Sequence, residues 1–202
     1  GVPTFCKGWT GLPFDRSCPE ITAHAMHALS LWLPSFDPEM RHAVRMFLGR
    51  AGQYLYDVQE PNGSWPPLWF GNEAVPGQRN PVFAAARVLW GLSALQEPSE
   101  ELNAAMIRGR EFLIAKQNDD GGWGGYRGIA STIEETSVAL SALAGSDCGE
   151  CLDRGTAWLS ERILETDGAP EPAPIGLYFA TLWYSESLYP TIFATQSLRS
   201  FL

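Results

Sequence analysis

The stretch RGREFLIAKQNDDGGW, residues 108–123, decides the fold, because a second copy of it occurs earlier as RAGQYLYDVQEPNGSW, residues 50–65. Both copies follow the order Arg-small-x-x-aromatic-Leu-x-x-x-Gln-x-x-x-Gly-x-Trp. The positions that close each copy are Gln59, Gly63, Trp65 and Gln117, Gly121, Trp123. A third, shorter copy begins at Arg154-Gly155 and lacks the Gln and the last Trp. Repetition at fixed offsets indicates an array of one structural unit.

Each copy is predicted to end a helix. Before Gln59, apolar residues recur at helical spacing on one face, and Asp37-Pro38 is a favourable helix start. Residues 99–116 and, more weakly, residues 151–164 follow the same plan. Because charged residues occupy the opposite face of these segments, they are predicted to be outer helices. The glycine-rich stretch after Gln117 is then a turn whose Trp packs back on the helix end. A calcium loop would need alternating oxygen ligands, and a phosphate loop would need a Lys and a hydroxyl residue after the glycines. The stretch supplies neither pattern.

Three further segments are apolar nearly all round and are predicted to be buried inner helices: residues 19–33, 81–95 and 132–143. Ser17 with Glu20 and Thr132 with Glu135 have the spacing of a capping box, and Asn80-Pro81 is a cap followed by proline. A final apolar segment, residues 175–202, is interrupted at Pro190. The prediction is an all-α single domain over residues 1–202. Its inner and outer helices form a partial α/α toroid, about half of a barrel of about six hairpins.

Composition narrows the function classes. The chain has 202 residues, 45% of them hydrophobic, and a net charge of −9, which argues against a nucleic-acid surface. Its 4 cysteines are too few for a disulfide framework, so a reducing compartment is expected. No run of residues reads as a transmembrane helix.

The Gln-x-x-x-Gly-x-Trp repeat resembles the QW motif of the terpene cyclase/mutase family, the squalene–hopene cyclases and their oxidosqualene cyclase relatives. Three other stretches resemble the C-terminal part of such proteins: PTFCKGWTGLPFDRSCPEITAHAMHAL (3–29), GGWGGYRGIASTIEETSVALSAL (121–143) and EPAPIGLYFATLWYSESLYPTIFA (171–194). The resemblance implies that an Asp-x-Asp-Asp acid protonates a linear triterpene such as squalene, and that carbocations then close the rings. This sequence contains no Asp-x-Asp-Asp. The expectation is that the upstream half of the barrel carries the acid and that this chain alone is inactive.

The resemblance also implies roles for individual residues. His24, one helical turn after Glu20, matches the histidine that supports the catalytic aspartate, and Glu20 shares that site. Phe83 stands where the family tends to have a tyrosine. The residues expected to contact substrate are Trp69, Phe83, Tyr178, Trp183 and Tyr184. From the residues themselves, Glu134 and Glu135 are expected to cap a helix, and Arg87 to pair with a buried carboxylate.

No cofactor and no metal site are expected. The predicted partners are a linear polyprene and the N-terminal half of the same polypeptide, with contact to a membrane surface. The predicted location is the bacterial cytoplasm or the cytoplasmic side of the membrane. A protein prenyltransferase β-subunit would need Asp, Cys and His zinc ligands, whereas Cys148 and Cys151 are expected in a loop with no histidine near. A thioester domain would need Gly-Cys-Gly-Glu-Gln, which is absent. A non-catalytic prenyl-binding or interaction module remains as the alternative.

Overall fold

The computed structural model describes residues 1–4, 16–167, 170–177 and 181–201. Within these ranges the chain is mainly helical, in agreement with the predicted fold class. The helices are α1 (Pro19–Trp32), α2 (Pro38–Asp57), α3 (Pro81–Leu92), α4 (Glu100–Ala115), α5 (Ile133–Leu143), α6 (Gly149–Glu165) and α7 (Tyr189–Leu198), with 3₁₀ turns at Leu33–Ser35 and Arg199–Phe201. No helix of the described ranges is both long enough and apolar enough to cross a membrane.

The helices form two layers. The inner row is α1, α3, α5 and α7, each packed on the next, and α2, α4 and α6 lie outside against α1, α3 and α5 respectively. The core fills the space between the layers and contains Met26, Leu55, Leu89, Leu113 and Leu140. The predicted alternation of inner and outer helices is therefore confirmed.

Short antiparallel strands cover one end of the inner row. Strand β1 (Val2–Pro3) pairs with β2 (Ser17–Cys18). A three-stranded sheet has the order β3 (Phe70–Gly71), β4 (Ile175–Leu177), β5 (Leu182–Tyr184). Its register places Gly71 opposite Gly176 and Gly176 opposite Trp183. The apolar segment that begins at Ile175 thus forms two strands first. Pro190 lies in the first turn of α7, so it starts a helix instead of interrupting one.

The helix starts follow the sequence with one exception. Asp37, Asn80 and Thr132 each accept a hydrogen bond from the backbone N–H three residues later, as predicted. The capping box predicted for Ser17 is wrong. Ser17 lies in β2, the residue before α1 is Cys18, and no side chain caps this helix.

The repeated Trp and Gln tie consecutive outer helices together. Trp65 donates its indole N–H to the carbonyl of Leu55 at 2.8 Å, and Gln59 donates to the carbonyls of Gly63 and Ala105 at 2.9 and 2.8 Å. Each Trp therefore packs back on the end of its own helix, as predicted. The Gln amide also reaches the next outer helix, because Ala105 belongs to α4.

The second copy repeats these contacts. Trp123 donates to the carbonyl of Leu113 at 2.8 Å, and Gln117 donates to the carbonyls of Gly121 and Cys151, both at 2.8 Å. A side chain at Gly155 would collide with the Trp123 ring, since its Cβ would lie 2.6 Å away. The small residue that follows Arg in the repeat thus makes room for the tryptophan of the preceding copy. We call these two sets of contacts the repeat clamps.

Helix α1 departs from the predicted burial. Its buried residues are Pro19, Thr22, Ala23 and Met26, whereas Leu31 and Trp32 are 63% and 64% exposed. The all-round burial expected for an inner helix holds for α3 and α5 but is wrong for α1. The reason is position: α1 is first in the inner row, so in the described part of the chain it has an inner neighbour, α3, on one side only.

Candidate functional site

A cavity of about 540 Å³ opens where the N-terminal turns of α1, α3 and α7 meet the three-stranded sheet. Most of its lining is aromatic or apolar. The lining residues are Thr4, Glu20, Ile21, His24, Trp69, Phe70, Phe83, Arg87, Tyr184, Tyr189 and Phe193. The charges that Glu20 and Arg87 carry when ionised lie within this apolar surface.

A buried polar network aligns the helix starts at this end. Asn80 caps α3 and also donates to Glu135 at 2.9 Å, and Asn72 donates to the same carboxylate oxygen at 3.1 Å. Thr132 hydrogen-bonds to the other oxygen of Glu135. Because Glu135 joins the start of α5 to the start of α3, its role extends beyond the predicted helix cap.

Glu20 and His24 both face the cavity from α1, as their spacing of one helical turn requires. One oxygen of Glu20 accepts from the Cys18 thiol at 3.0 Å, and the other is buried with no hydrogen-bond partner among the described residues. Burial raises the pKa of Glu20 to about 7, against the opposing effects of the Cys18 hydrogen bond and the Arg87 charge. The carboxyl is thus poised between its neutral and charged forms.

His24 is exposed at the edge of the cavity, and its ring stacks on Trp90 with centroids 5.9 Å apart. Burial of part of the ring, the Arg87 charge and neighbouring His27 all lower the pKa of His24. The imidazole is therefore mainly neutral near pH 7. No hydrogen bond joins His24 to Glu20 in the part of the chain that the structure describes.

Arg87 reaches the cavity from α3. Its guanidinium lies 4.9 Å from the centroid of the Trp90 ring and 6.0 Å from that of Phe193. The negative charge of Glu20 raises the Arg87 pKa, although burial is the larger effect and lowers it. The ion pair predicted for Arg87 is wrong within the described residues, where no carboxylate lies within 4.0 Å of the guanidinium. Instead, aromatic faces support its charge.

Aromatic rings form the wall opposite these charged groups. Phe83 packs edge-on against Phe70 and Phe193, with centroids 5.3 and 6.3 Å away, and Tyr189 tilts against Phe193 at 5.3 Å. Phe70, Tyr189 and Phe193 were not among the residues expected at the site. The available signal was the spacing of Tyr189 and Phe193 on one face of a helix that has Pro190 in its first turn.

The structure brings together Glu20, His24, Trp69, Phe83 and Tyr184 among the residues expected at the site. Trp69 donates its indole N–H to the Thr4 hydroxyl. Trp183 lies outside the cavity lining, because it precedes Tyr184 on β5 and alternate strand residues point to opposite faces. Tyr178 lies outside the described residues. In the described ranges, no three His, Cys, Asp or Glu side chains converge as a metal site requires.

The model of the squalene-hopene cyclase C-terminal domain matches residues 11–199 of this sequence. The chain belongs to this family. It is 33% identical over 165 residues to the drimenyl diphosphate synthase of Streptomyces showdoensis, an alignment that covers 80% of this chain and 27% of the relative. It is 28% identical over 192 residues to the squalene–hopene cyclase of Alicyclobacillus acidocaldarius, covering 83% of this chain and 28% of that protein.

Among solved structures, the fold is similar to that of the ent-copalyl diphosphate synthase from Streptomyces platensis. The TM-score is 0.64 at 21% sequence identity, and the match covers 96% of this chain and 34% of that one. This likeness concerns the fold alone. The chain spans about a third or less of the length of each of these three proteins.

Proposed function

We propose that residues 1–202 form one wall of the cavity in which a class II terpene cyclase folds and cyclises a linear polyprene such as squalene. The buried oxygen of Glu20 that has no partner among the described residues, beside His24 at the edge of an aromatic cavity, carries the proposal. A buried carboxyl oxygen without a hydrogen bond costs a few kcal/mol, by rough estimate, so a donor from elsewhere would stabilise it. We assign that donor to the segment that carries the Asp-x-Asp-Asp acid, outside residues 1–202.

The proposed chemistry begins with proton transfer from this aspartic acid to the terminal alkene of the substrate. The exposed imidazole of His24 would hold the acid in position. Each ring closure moves the positive charge along the chain, towards the faces of Phe70, Phe83 and Phe193. A ring face stabilises a cation by about 0.5–2 kcal/mol, and the apolar wall excludes water until the last cation loses a proton or is captured.

The test is a comparison of full-length polypeptides. His24→Ala is expected to lower product formation from squalene by ~100-fold, the scale of a lost acid–base partner, and to shift the pH dependence of turnover. His42→Ala, an exposed histidine on α2, is the matched control and keeps normal turnover. Circular dichroism verifies folding. Normal turnover with an unchanged pH profile in His24→Ala would refute the role of His24.

The alternative, a non-catalytic prenyl-binding module, gives a different result. It binds squalene, but the full-length protein forms no cyclic product from squalene or from any other linear polyprene.

Arg87 favours a second substrate class, a linear prenyl diphosphate. A guanidinium with no ion pair among the described residues is unfavourable in a wall that must stabilise carbocations, unless an anion occupies the cavity with it. Arginine binds phosphate oxygens through two parallel N–H donors. One relative, the drimenyl diphosphate synthase, has a diphosphate in the name of its product.

Geranylgeranyl diphosphate and squalene separate the two substrate classes. If the diphosphate is the substrate, Arg87→Gln raises its KM by about tenfold or more, and Arg87→Lys restores part of the loss. Two quantities serve as controls in Arg87→Gln: kcat for the diphosphate and any turnover of squalene. Both should change little. Equal losses of kcat with both substrates would instead mean that Arg87 acts on the acid, and would rule out diphosphate binding.

The exposed apolar end of α1, at Leu31 and Trp32, supports a further part of the proposal. We assign it to contact with the part of the polypeptide that carries the acid. Contact of the assembled protein with a membrane surface, the source of an apolar polyprene, remains a proposal that follows from the substrate class.

A further inference from the structure

Cys148 and Cys151 lie at the start of α6, in a groove that shares no lining residue with the aromatic cavity. Cys148 is the residue before the helix, and Cys151 is in its first turn, so the motif Cys-Gly-Glu-Cys spans one helix start. The expectation that both lie in a loop is therefore wrong. Cys151 is 8% exposed, whereas Cys148 is only partly buried. Cys148 is thus the more exposed of the two residues.

The two thiols interact directly. Burial, the charge of Cys148 and a hydrogen bond with Cys148 raise the pKa of Cys151 to about 12, and the Arg154 charge opposes them. The sulfur of Cys148 lies 3.1 Å from the Ser146 hydroxyl oxygen. A surface groove contains both cysteines together with Arg127, Arg154, Asp119 and Glu150, and Arg127 pairs with Asp119 at 2.9 Å. Arg154 is the cation that favours a thiolate here, since its charge lowers the pKa of Cys151.

We propose that Cys148 and Cys151 form a redox-active dithiol that exchanges with low-molecular-weight disulfides such as glutathione disulfide. The Cys148 thiolate attacks one sulfur of glutathione disulfide, forms a mixed disulfide and releases one glutathione thiolate. The Cys151 thiolate then attacks the Cys148 sulfur, closes the protein disulfide and releases the second glutathione thiolate. The two protein thiols lose two electrons and two protons, and glutathione disulfide gains them as two glutathione thiols.

The order of attack follows from the geometry. Cys148 is the more exposed residue, so it meets the incoming disulfide first. Burial is the largest cause of the raised Cys151 pKa and remains, but once Cys148 is in the mixed disulfide it no longer carries the charge or the hydrogen bond that add to this effect. Deprotonation of Cys151 therefore becomes easier at the moment when its thiolate is needed.

The dithiol also touches a repeat clamp. The carbonyl oxygen of Cys151 accepts the hydrogen bond from Gln117, and Gln117 lines the same groove as the thiols. A disulfide in this turn changes the local geometry of the residue that anchors α6 to the end of α4. Oxidation is thus linked to the junction between two outer helices.

Cys18 provides the contrast. It is buried, it donates to Glu20, and no second cysteine lies beside it among the described residues. Cys18 is expected to stay reduced under conditions that oxidise the pair.

The experiment incubates the full-length polypeptide, folded, with buffers of varied ratio of glutathione to glutathione disulfide, followed by iodoacetamide and trypsin. Both cysteines fall in one tryptic peptide, residues 128–154, because no Lys or Arg lies between Arg127 and Arg154. The expected result is conversion of this peptide from a doubly alkylated form to an unalkylated disulfide form, whose mass is that of the free dithiol peptide less two hydrogens. Conversion should follow the glutathione ratio and reverse with excess glutathione.

Variants assign the roles. Cys151→Ser should accumulate the mixed disulfide at Cys148 by about tenfold over the wild type, and Cys148→Ser should form no disulfide within this peptide. Cys18→Ser, the matched control, should leave the titration unchanged. Two results overturn the proposal: double alkylation of the peptide at every ratio, or equal mixed disulfide in wild type and Cys151→Ser. Circular dichroism of each variant excludes unfolding as the cause.

Discussion

Glu134 and Glu135 are adjacent at the start of α5, and both are 1% exposed, yet their surroundings differ. Glu135 accepts from the Asn72 and Asn80 amides, which oppose the effect of burial on its pKa. Glu134 accepts one backbone N–H, from Ala173 at 2.8 Å, and its second oxygen is buried with no partner in the described ranges. Burial is the main cause that raises the pKa of Glu134 to about 7.

Glu134 therefore makes stability depend on pH. Its pKa in the folded state is about 7, above its ordinary 4.5, so the folded protein holds the proton more tightly than the unfolded chain. The stabilisation is complete below pH 4.5 and is lost as pH rises through 7. Urea melts give the change in the free energy of unfolding between pH 5 and pH 8. This change should be smaller in Glu134→Gln than in the wild type, by roughly 2–3 kcal/mol. An unchanged difference would mean that Glu134 is charged in the folded protein.

At the scale of elements, the repeat clamps explain why the Gln, Gly and Trp recur together. The Gln side chain joins its own turn to the next outer helix, and the Gly permits that turn. Gly63 and Gly121 have φ values of +89° and +96°, and a Cβ at either would lie within 3.0 Å of a backbone oxygen of the next helix. The third copy keeps a left-handed residue at the matching position, Asp167, with φ of 51°. It lacks the Gln, so nothing equivalent joins α6 to a further outer helix.

Trp123→Ala should lower the free energy of unfolding by ~3 kcal/mol or more, because a fully buried ring is lost and a cavity remains between α4 and α6. The matched control is Tyr126→Ala in the same loop, whose side chain is 37% exposed. It should cost about 1 kcal/mol or less. Chemical denaturation of both variants, followed by circular dichroism, measures the difference. Equal losses would show that Trp123 has no special part in holding the helices together.

At the scale of the whole molecule, the inner row has an open side at α1. Helices α3 and α5 have neighbours in the chain on both sides, and their residues are largely buried. The apolar face of α1 at Leu31 and Trp32 has no such cover from the residues that the structure describes. The family relatives are more than three times as long as the aligned region, which is consistent with cover from another part of the polypeptide.

Leu31→Ser tests this arrangement. In a polypeptide that covers α1, the variant should lose about 1–3 kcal/mol of stability, as expected when a buried leucine is replaced by a polar residue. In the isolated 202-residue chain, where Leu31 is 63% exposed, the loss should be small. Thermal unfolding of both proteins gives the comparison. A small loss in both would mean that the end of α1 remains open to solvent.

The sequence by itself determined the order of the helices, the outer and inner classes, the repeat clamps and the family. These features depend on local spacing: which residues share a helix face, which cap a helix, and which lie at fixed offsets from a turn. It also placed Glu20 and His24 on one face, since both belong to one helical turn. Only the tertiary structure decided that Tyr189, Phe193 and Phe70 share a cavity with them, because α7, β3 and α1 are far apart in the chain.

Tertiary packing also decided which residues are buried and what surrounds them. Glu134 and Glu135 were expected to cap a helix, and in the structure the backbone N–H of Ala173 and the amide of Asn80 also hydrogen-bond to them. The apolar helix α1 was expected to be buried, but it stands at the edge of the inner row. A side chain's own chemistry fixes what its burial costs, while the neighbours that surround it fix whether that burial occurs.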